Sequence, residues 1–289
     1  MLATNSIQFR TEHTAHTLRI FRPDSNAPLV TQHAPQNSRP FIHPIVAPDG
    51  QGVLTENEPA HHPWQHGLYV GLNDVNGVGF WTEGLRNDPN DGTFHPQPLA
   101  APRLSADLVE WTVRTEWRTP HAPTKAIVPS AAMLHETQRW SLRDSGTSYT
   151  LDLEWTLTAA MDLTFGRYAY GGLFLRMPYK AGIDAHALTS GGLIGTAGEA
   201  QRAKWVAVSM PIEGRVNPAG IAIMDHPGNP EHPVPWRIDG QLGIAPSRCI
   251  AGAWQLARRA SVTFRHRVLM FCGAINPQQI EASYVQFSR

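Results

Sequence analysis

QRWSLRDSGTSYTLDLEWTL, residues 138–157, alternates apolar with polar side chains on both sides of a turn around Gly146. Trp140 and Leu142 precede the turn, and apolar residues follow it at every second position from 149 to 157. Alternation with a period of two places successive side chains on opposite faces of a strand. A glycine turn between two such runs indicates a hairpin. The stretch therefore predicts a long antiparallel hairpin with one buried face.

Similar runs lie on both sides of this hairpin and predict further strands. They are LVEWTVRTEW, TLRIFRP, GGLFLRMPY, KWVAVSMPI, AGIAIMD and ASVTFRHRVLMFC. Asn276 and Pro277 precede QQIEASYVQF and predict a short capped helix near the end of the chain. The 24 glycines and 24 prolines punctuate the rest. We predict an all-β fold, a large antiparallel two-sheet sandwich with few short helices, and a single domain over residues 1–289, because neither a repeat nor a change of composition divides the chain.

The charge balance excludes some classes of partner. Lys and Arg total 24, as do Asp and Glu, and no basic run is present, which argues against nucleic-acid binding. The absence of net charge gives little repulsion between copies, so a homo-oligomer is compatible with the sequence. Two separated cysteines do not make a disulfide scaffold. We find neither a signal-peptide pattern nor a stretch of ~20 apolar residues, so we expect a cytoplasmic protein without a membrane partner.

The first polar run, residues 39–83, is rich in imidazoles. Arg39 and His43 lie at its start, and His62 and His66 are four residues apart in HHPWQH. On a helix this spacing would place both imidazoles on one face, as in metal-binding pairs. Pro63 favours a turn instead. These histidines are therefore candidates for catalysis or metal ligation, and the alternative is that they bind loop backbone.

The same run ends in LNDVNGVGFW, which offers two further candidates. Asp74 precedes Asn76 and Gly77, which suit a turn with positive φ, so Asp74 either holds that turn or contacts a ligand. Trp81 is either a core residue or a platform for a sugar ring, because aromatic faces suit the apolar CH surfaces of sugars.

The second polar run, IMDHPGNPEHPVPW at residues 223–236, follows a predicted strand directly. It carries Asp225, His226, His232 and Trp236 on a loop stiffened by prolines. Polar residues at the end of a strand are a common way to present a site on a rigid scaffold. The alternative is a rigid connection in which Asp225 caps backbone amides.

Two carboxylates and a tyrosine complete the candidates. Glu136 alternates with Gln138 and Trp140 and is predicted to point inward, where an acid is costly unless it is partnered. Glu199 follows a glycine-rich loop, and Tyr170 precedes a predicted strand. The chain has neither a nucleophile elbow nor a nucleotide fingerprint. His with Asp or Glu remains, which suits acid–base catalysis or metal binding.

Three runs in this order resemble a bacterial family of unknown function that is known as PmoA-like, or "methane oxygenase PmoA". They are RPFIHPIVAPDG, HHPWQHGLYVGLNDVNGVGFW and GIAIMDHPGNPEHPVPW, and the resemblance extends from about residue 39 to the end. His61 and Gln65 depart from the family pattern, which favours an acid and an imidazole there. The residues that fit it are His62, Pro63, His66, Gly67, Asp74, Asn76, Gly77 and Trp81. The resemblance implies a supersandwich like that of aldose mutarotases and carbohydrate lyases, and a carbohydrate ligand.

The residues and the resemblance together give our functional hypothesis. We expect an acid–base enzyme of the epimerase, mutarotase or lyase type that acts on a sugar or an oxidised sugar derivative. His62 or His66 would be the acid, and Glu136, Glu199 or Asp225 the base. The expected substrate-binding residues are Arg39, His43, Asp74, Trp81, Tyr170, His226, His232 and Trp236.

Two alternatives stay open at this stage. The first is a metal-dependent enzyme that binds a divalent metal through His43, His62 and His66, with His226 or His232 as optional further ligands and a carboxylate that completes the sphere. The second is a non-catalytic carbohydrate-binding or sensor module. We predict no cofactor for the favoured reading, and a small-molecule carbohydrate as the partner.

Overall fold

The computed structural model describes residues 9–105, 107–120 and 131–289. The strands in these ranges are β1 Arg10–His13, β2 Thr17–Phe21, β3 Val30–His33, β4 Phe41–Ile45, β5 Leu68–Gly71, β6 Thr93–Pro96, β7 Arg103–Ser105, β8 Leu108–Arg118, β9 Ala132–Asp144, β10 Ser148–Ala159, β11 Leu163–Phe165, β12 Gly172–Leu175, β13 His186–Thr189, β14 Trp205–Met210, β15 Ala219–Asp225, β16 Trp236–Ile238, β17 Ile244–Pro246, β18 Trp254–Leu256 and β19 Ser261–Cys272. Two α-helices, α1 Arg248–Ala251 and α2 Pro277–Phe287, and a 3₁₀ turn, Gly195–Gly198, complete the regular structure of these ranges.

The strands form two large antiparallel sheets. The eight-stranded sheet has the order β1-β2-β3-β4-β5-β12-β17-β16. The nine-stranded sheet has the order β13-β14-β15-β19-β10-β9-β8-β6, and β7 pairs with β8 beside it. The predicted hairpin is β9–β10, and it lies between β8 and β19. The prediction of an all-β antiparallel two-sheet sandwich is confirmed.

The core lies between the two sheets and follows from the alternation in the sequence. Along β8, β9 and β10 buried and exposed or half-buried positions alternate almost without a break. Leu151 and Leu153 of β10 belong to the same buried cluster as Leu68, Val70 and Leu173 of the facing sheet. Burial of each such side chain contributes about 1.5–3 kcal/mol relative to exposure. Register is therefore fixed, because a one-residue slip would turn the apolar set outward.

The eight-stranded sheet is covered on its outer face as well. Phe41, Tyr69 and Phe174 alternate with core residues on β4, β5 and β12 and point away from the sandwich core. They form a second buried cluster with Trp64 and Trp81, which come from the loops before and after β5. A sheet covered on both faces has few polar positions of its own. Apart from His43 in the middle of β4, the polar groups near the candidate site therefore come mainly from the loops and short strands around this face.

Helix α2 covers part of the outer face of the nine-stranded sheet. Its residues Ile280 and Tyr284 pack against Trp205, Leu269 and Phe271. The side chain of Asn276 accepts hydrogen bonds from two backbone N–H groups of the first turn, and Pro277 begins the helix. This confirms the predicted cap. None of the helices in the described ranges is long and apolar enough to cross a membrane.

Glu136 is buried inside the sandwich core, as the alternation predicted. Its Oε1 accepts hydrogen bonds from Trp155 Nε1 at 2.7 Å and Gln138 Nε2 at 3.1 Å, and its Oε2 accepts one from Trp117 Nε1 at 3.1 Å. Burial raises the pKa of this carboxyl, and the three donors oppose the rise. The Glu136 carboxyl group thus satisfies the buried N–H groups of two tryptophans and one glutamine, and it does not face solvent.

We predict that Glu136→Gln lowers the free energy of unfolding by about 1–3 kcal/mol, because the new amide N–H group faces the indole N–H of Trp117. Since the folded-state pKa of Glu136 is raised, its stabilising contribution is complete below the unfolded-state pKa and declines as the pH rises through the folded-state value. The loss caused by the substitution is therefore expected to be largest in acid and smaller at neutral pH. Urea unfolding across this pH range measures it.

The matched control is Glu110→Gln, at an exposed position of β8 in the same sheet. We expect this variant to change the unfolding free energy little at any pH. An equal loss in both variants, or a loss at position 136 that grows with pH, would contradict the role assigned to the buried carboxyl.

Candidate functional site

A cavity of about 260 Å³ opens on the outer face of the eight-stranded sheet. Its lining combines four aromatic rings with cationic, amide and carboxylate groups: His62, Trp64, Gln65, Trp81, Thr82, Arg86, Tyr170, Phe174, Arg237 and Asp239. A larger cleft of about 800 Å³ lies between the loop at 22–29 and the turns at Asp49 and Gly146. That cleft has neither an imidazole nor an aromatic ring in its lining, and its Arg22 is paired with Asp144 at 2.6 Å. The smaller cavity is the better candidate.

A tight turn before β5 brings His62 to this cavity. The His62 N–H donates to Pro59 O at 2.8 Å, and the Gln65 N–H donates to His62 O at 3.0 Å. The structure thus has the turn that Pro63 favoured, in place of a helix. His62 and Trp64 line the cavity from this turn, whereas His66 lies beneath it.

Arg39 anchors the two tryptophans of the cavity wall. Its Nη2 donates to Trp64 O at 2.8 Å and to Trp81 O at 3.0 Å, and its Nε lies 2.8 Å from Glu83 Oε1. A Cβ at Gly71 would lie 2.5 Å from Arg39 Nη1, so β5 needs glycine at this point. Burial would raise the pKa of Glu83, but the charge of Arg39 and the contact with His66 outweigh it and lower that pKa.

Arg176 anchors the opposite wall. Its Nε donates to Gln65 Oε1 at 2.7 Å and its Nη2 to Asp239 Oδ2 at 3.1 Å. The other oxygen of Asp239 accepts the backbone N–H groups of Gln241 and Gly243, each at 2.9 Å. Both the amide of Gln65 and the carboxylate of Asp239 are therefore held in fixed positions, and the negative charge of Asp239 is neutralised locally.

His66 and His43 form a layer behind the cavity. His66 Nδ1 lies 3.0 Å from Asn57 Oδ1, and its Nε2 lies 3.4 Å from Glu83 Oε2. His43 Nδ1 lies 2.9 Å from Thr55 Oγ1. Burial lowers the pKa of His43 to about 4, with help from the neighbouring imidazoles. These two imidazoles support the outer face of the sheet and are not in the cavity lining.

His62 differs from them because it lines the cavity. Its ring meets Trp64 edge-on at a centroid distance of 5.2 Å. Its Nδ1 is shielded from solvent and has no hydrogen-bond partner among the described residues. Burial lowers the pKa of His62, and the charges of His61, Arg176 and Arg86 lower it further, whereas Asp239 opposes them. The imidazole is therefore neutral at neutral pH and can accept a proton.

Arg237, Arg86 and Tyr170 complete the cavity. Arg237 Nη1 donates to Glu199 Oε1 at 2.6 Å, which places Glu199 behind a lining residue. The Arg86 guanidinium lies 4.4 Å from the ring centre of Trp64. The Tyr170 ring lies 4.5 Å from that of Trp81.

Sequence reasoning missed Arg86, Arg237 and Asp239. The alternation around Arg237, whose neighbours Trp236 and Ile238 are in the core, was the available signal.

The second polar run lies elsewhere, which corrects the idea of one shared site. Asp225 Oδ2 lies 2.7 Å from His232 Nδ1, and Asp225 Oδ1 accepts from Asn229 Nδ2 at 2.7 Å. His232 Nε2 lies 3.3 Å from the Tyr284 hydroxyl of α2. His226 Nδ1 accepts the Gly228 N–H at 2.9 Å. This run follows β15 of the nine-stranded sheet, so its polar groups tie a loop to the C-terminal helix.

Three more expected site residues have structural surroundings. Trp236 is in the core, and its Nε1 donates to Ala203 O at 2.8 Å. Asp74 adopts a φ of 54°, and its Oδ1 accepts the Gly77 N–H at 3.1 Å, so it holds the turn. Glu136 is enclosed by indoles in the core. Of the five expected catalytic residues, only His62 lines the cavity; His66 and Glu199 lie behind its walls.

The ligand set expected for a divalent metal is not assembled. Within residues 9–105, 107–120 and 131–289, no three His, Cys, Asp or Glu side chains are grouped as metal ligands. His43 and His66 use their Nδ1 atoms on Thr55 and Asn57, and His226 and His232 belong to the separate loop.

Comparison with solved structures gives several distant similarities. They include an alpha-galactosidase from Lactobacillus brevis (13% identity, TM-score 0.38, 99% of this chain and 42% of that one). A galactose mutarotase related enzyme from Lactobacillus acidophilus has 9% identity and a TM-score of 0.37 over 92% of this chain and 97% of that one. A galactose mutarotase-like protein from Clostridium acetobutylicum has 9% identity and a TM-score of 0.39 over 92% and 99%. Because the identities and TM-scores are this low, we infer nothing about the reaction of this chain from these similarities.

Comparison with curated proteins gives no match. A family model matches residues 24–285, which include both polar runs and all residues of the cavity lining. That model is described as a family of unknown function and carries no methane oxygenase description, so the PmoA-like name stays a prediction. The chain belongs to the family of unknown function DUF6807.

Proposed function

We propose that the chain is a carbohydrate-active enzyme whose cavity on the outer face of the eight-stranded sheet performs acid–base chemistry on a sugar or an oxidised sugar derivative. The observation that carries this proposal is His62 in the cavity lining, an imidazole beside the ring of Trp64 whose pKa is lowered by burial and by the neighbouring cations. Sugar rings bind to aromatic faces through their CH groups and to fixed polar groups through their hydroxyls.

His62 acts as the base in this mechanism. It removes a proton either from the anomeric hydroxyl or from a carbon next to a carbonyl group. Tyr170 lines the same cavity and is the acid that protonates the ring oxygen or the carbonyl oxygen. Its hydroxyl donates to that of Tyr168 at 3.5 Å, and burial raises its pKa, so the phenol is protonated at neutral pH. The reverse transfers restore both groups. This assignment replaces the expected bases Glu136, Glu199 and Asp225, none of which lines the cavity.

The cavity size supports one sugar unit as the ligand. Its 260 Å³ is slightly below the range of about 300–1,000 Å³ that is usual for small-molecule sites. Gln65 and Asp239 present fixed amide and carboxylate groups to the sugar hydroxyls, since Arg176 holds both. A preformed site of this kind needs little reorganisation when the ligand binds.

We predict that His62→Gln lowers the turnover number by about 10²–10⁴-fold, the usual contribution of a positioned acid or base. In the wild-type protein turnover falls as the pH falls through a value below 6.5, because protonated His62 cannot act as the base. NMR in D₂O with D-glucose, D-galactose, D-glucuronate and D-galacturonate measures anomer interconversion, deuterium uptake at carbon and elimination.

The control for this prediction is His186→Gln, at an exposed histidine paired with Asp184. It is expected to leave turnover unchanged. If the wild-type protein binds a sugar of this panel but changes neither its anomers nor its C–H signals, the chain is a binding or sensor module and the acid–base proposal is wrong.

We predict that Arg39→Lys raises KM about 10-fold and lowers kcat less, because an ammonium group cannot hold the carbonyls of both Trp64 and Trp81 in the geometry of the guanidinium fork. Measurement of both constants on the sugar that is converted tests this, with circular dichroism to show that the variant is folded. Arg114→Lys, at an exposed position of β8, is the control. An unchanged KM in the folded Arg39→Lys protein would show that Arg39 does not position the walls.

A further inference from the structure

The charges around the cavity are unbalanced. Asp239 is neutralised by Arg176 and by two backbone N–H groups, as described above. Glu199 accepts one hydrogen bond from Arg237, through Nη1. The other N–H groups of the Arg237 guanidinium do not bond to Glu199. Arg86 makes no ion pair with any described residue and stacks on Trp64. The lining therefore presents two guanidiniums and a single, already neutralised carboxylate.

The two guanidiniums reach the same part of the cavity. Arg86 and Arg237 both belong to the lining of this one cavity, as does Tyr170. Arg86 and Arg176 likewise act on His62. A neutral sugar would leave Arg86 without a counter-charge and the remaining donors of Arg237 without an anionic acceptor. An anionic group between them would form charge-assisted hydrogen bonds in a partly buried site.

We propose that the substrate is an anionic sugar, specifically a sugar carboxylate such as a uronate, and that Arg86 and Arg237 bind its carboxylate while the ring lies between Trp64, Trp81 and Tyr170. This inference rests on the proposed function for the location of the site, and adds the class of substrate. Arginine suits the role because its planar fork of donors matches a carboxylate. The Glu199 carboxylate already held by Arg237 shows that this guanidinium is oriented before a ligand arrives.

The charge also suits the proposed chemistry. Removal of the proton next to a carboxylate places additional negative charge on the carboxylate oxygens. Guanidiniums that bind these oxygens stabilise that charge more in the transition state than in the ground state. The neutral imidazole of His62 takes the proton, and the electron pair of the broken C–H bond moves onto the carboxylate, so that no oxidant or further reactant is needed. Tyr170 then donates its proton to the opposite face of that carbon as the electron pair returns from the carboxylate, which gives the epimer, and the proton on His62 returns to the Tyr170 phenolate through solvent.

Isothermal titration calorimetry on the full chain tests the proposal with D-galacturonate, D-glucuronate, D-galactose, D-glucose and D-glucose 6-phosphate, at low and at high salt. We expect at least one uronate to bind roughly 10-fold or more tightly than its neutral counterpart, and the difference to shrink as salt rises. Arg86→Gln and Arg237→Gln are each expected to lower uronate affinity by roughly 10-fold and to change neutral-sugar binding little.

Arg114→Gln, an exposed arginine of β8, is the matched control and should bind uronate like the wild-type protein. Equal affinity for uronates and neutral sugars, or an equal loss in the control variant, would overturn the inference and leave the acid–base proposal to the His62→Gln experiment. If D-glucose 6-phosphate binds more tightly than the uronates, the proposed sugar carboxylate is wrong and the anionic group of the ligand is a phosphate. Uronate binding without proton exchange would support the inference and refute the proposed enzyme. Absence of binding across the panel would overturn both.

Discussion

The guanidinium of Arg39, buried on the outer face of the eight-stranded sheet, is the constraint on which the candidate site depends. A buried charge is tolerated only when it is paired and hydrogen-bonded. Arg39 meets this condition with Glu83 and with the carbonyl groups of Trp64 and Trp81, which belong to different loops. Removal of one partner of such a pair typically costs about 3–5 kcal/mol. Two loops without regular structure are thus fixed on the sheet by one side chain.

The fold could be predicted from the sequence largely because its strongest signals are local. The hairpin β9–β10 alternates over more than ten residues on each side of one turn, and the Asn276–Pro277 cap acts within a single helical turn. Neither depends on distant residues. The order of the strands is different: β5 pairs with β12, about a hundred residues later, and no pattern in either strand specifies that partner. The sequence therefore indicated the layers better than the topology.

The candidate site was predicted only in part for the same reason. His62, Trp81 and Tyr170 stood out through their residue types, and they line the cavity. Arg237 and Asp239 come to the cavity only because β16 pairs with β17 and β17 with β12, which sequence periodicity cannot show. Conversely, Asp225 and His232 have the residue types of a site but satisfy one another and reach Tyr284. Residue types alone do not separate a polar pair that ties elements together from a group that is free to meet a ligand.

Two buried carboxyl groups show how the protein separates its neutral interior from its charged surface site. Glu136 is surrounded by neutral donors, so burial dominates and raises its pKa. Glu83 has a side chain that is 8% exposed and lies beside Arg39 and His66, which outweigh burial and lower its pKa. The same side chain therefore favours the neutral form between the sheets and the ionised form behind the cavity. Because ionised groups such as Arg39 and Glu83 lie behind the cavity and not between the sheets, a charged or strongly polar ligand is stabilised at the cavity and not at the sandwich core.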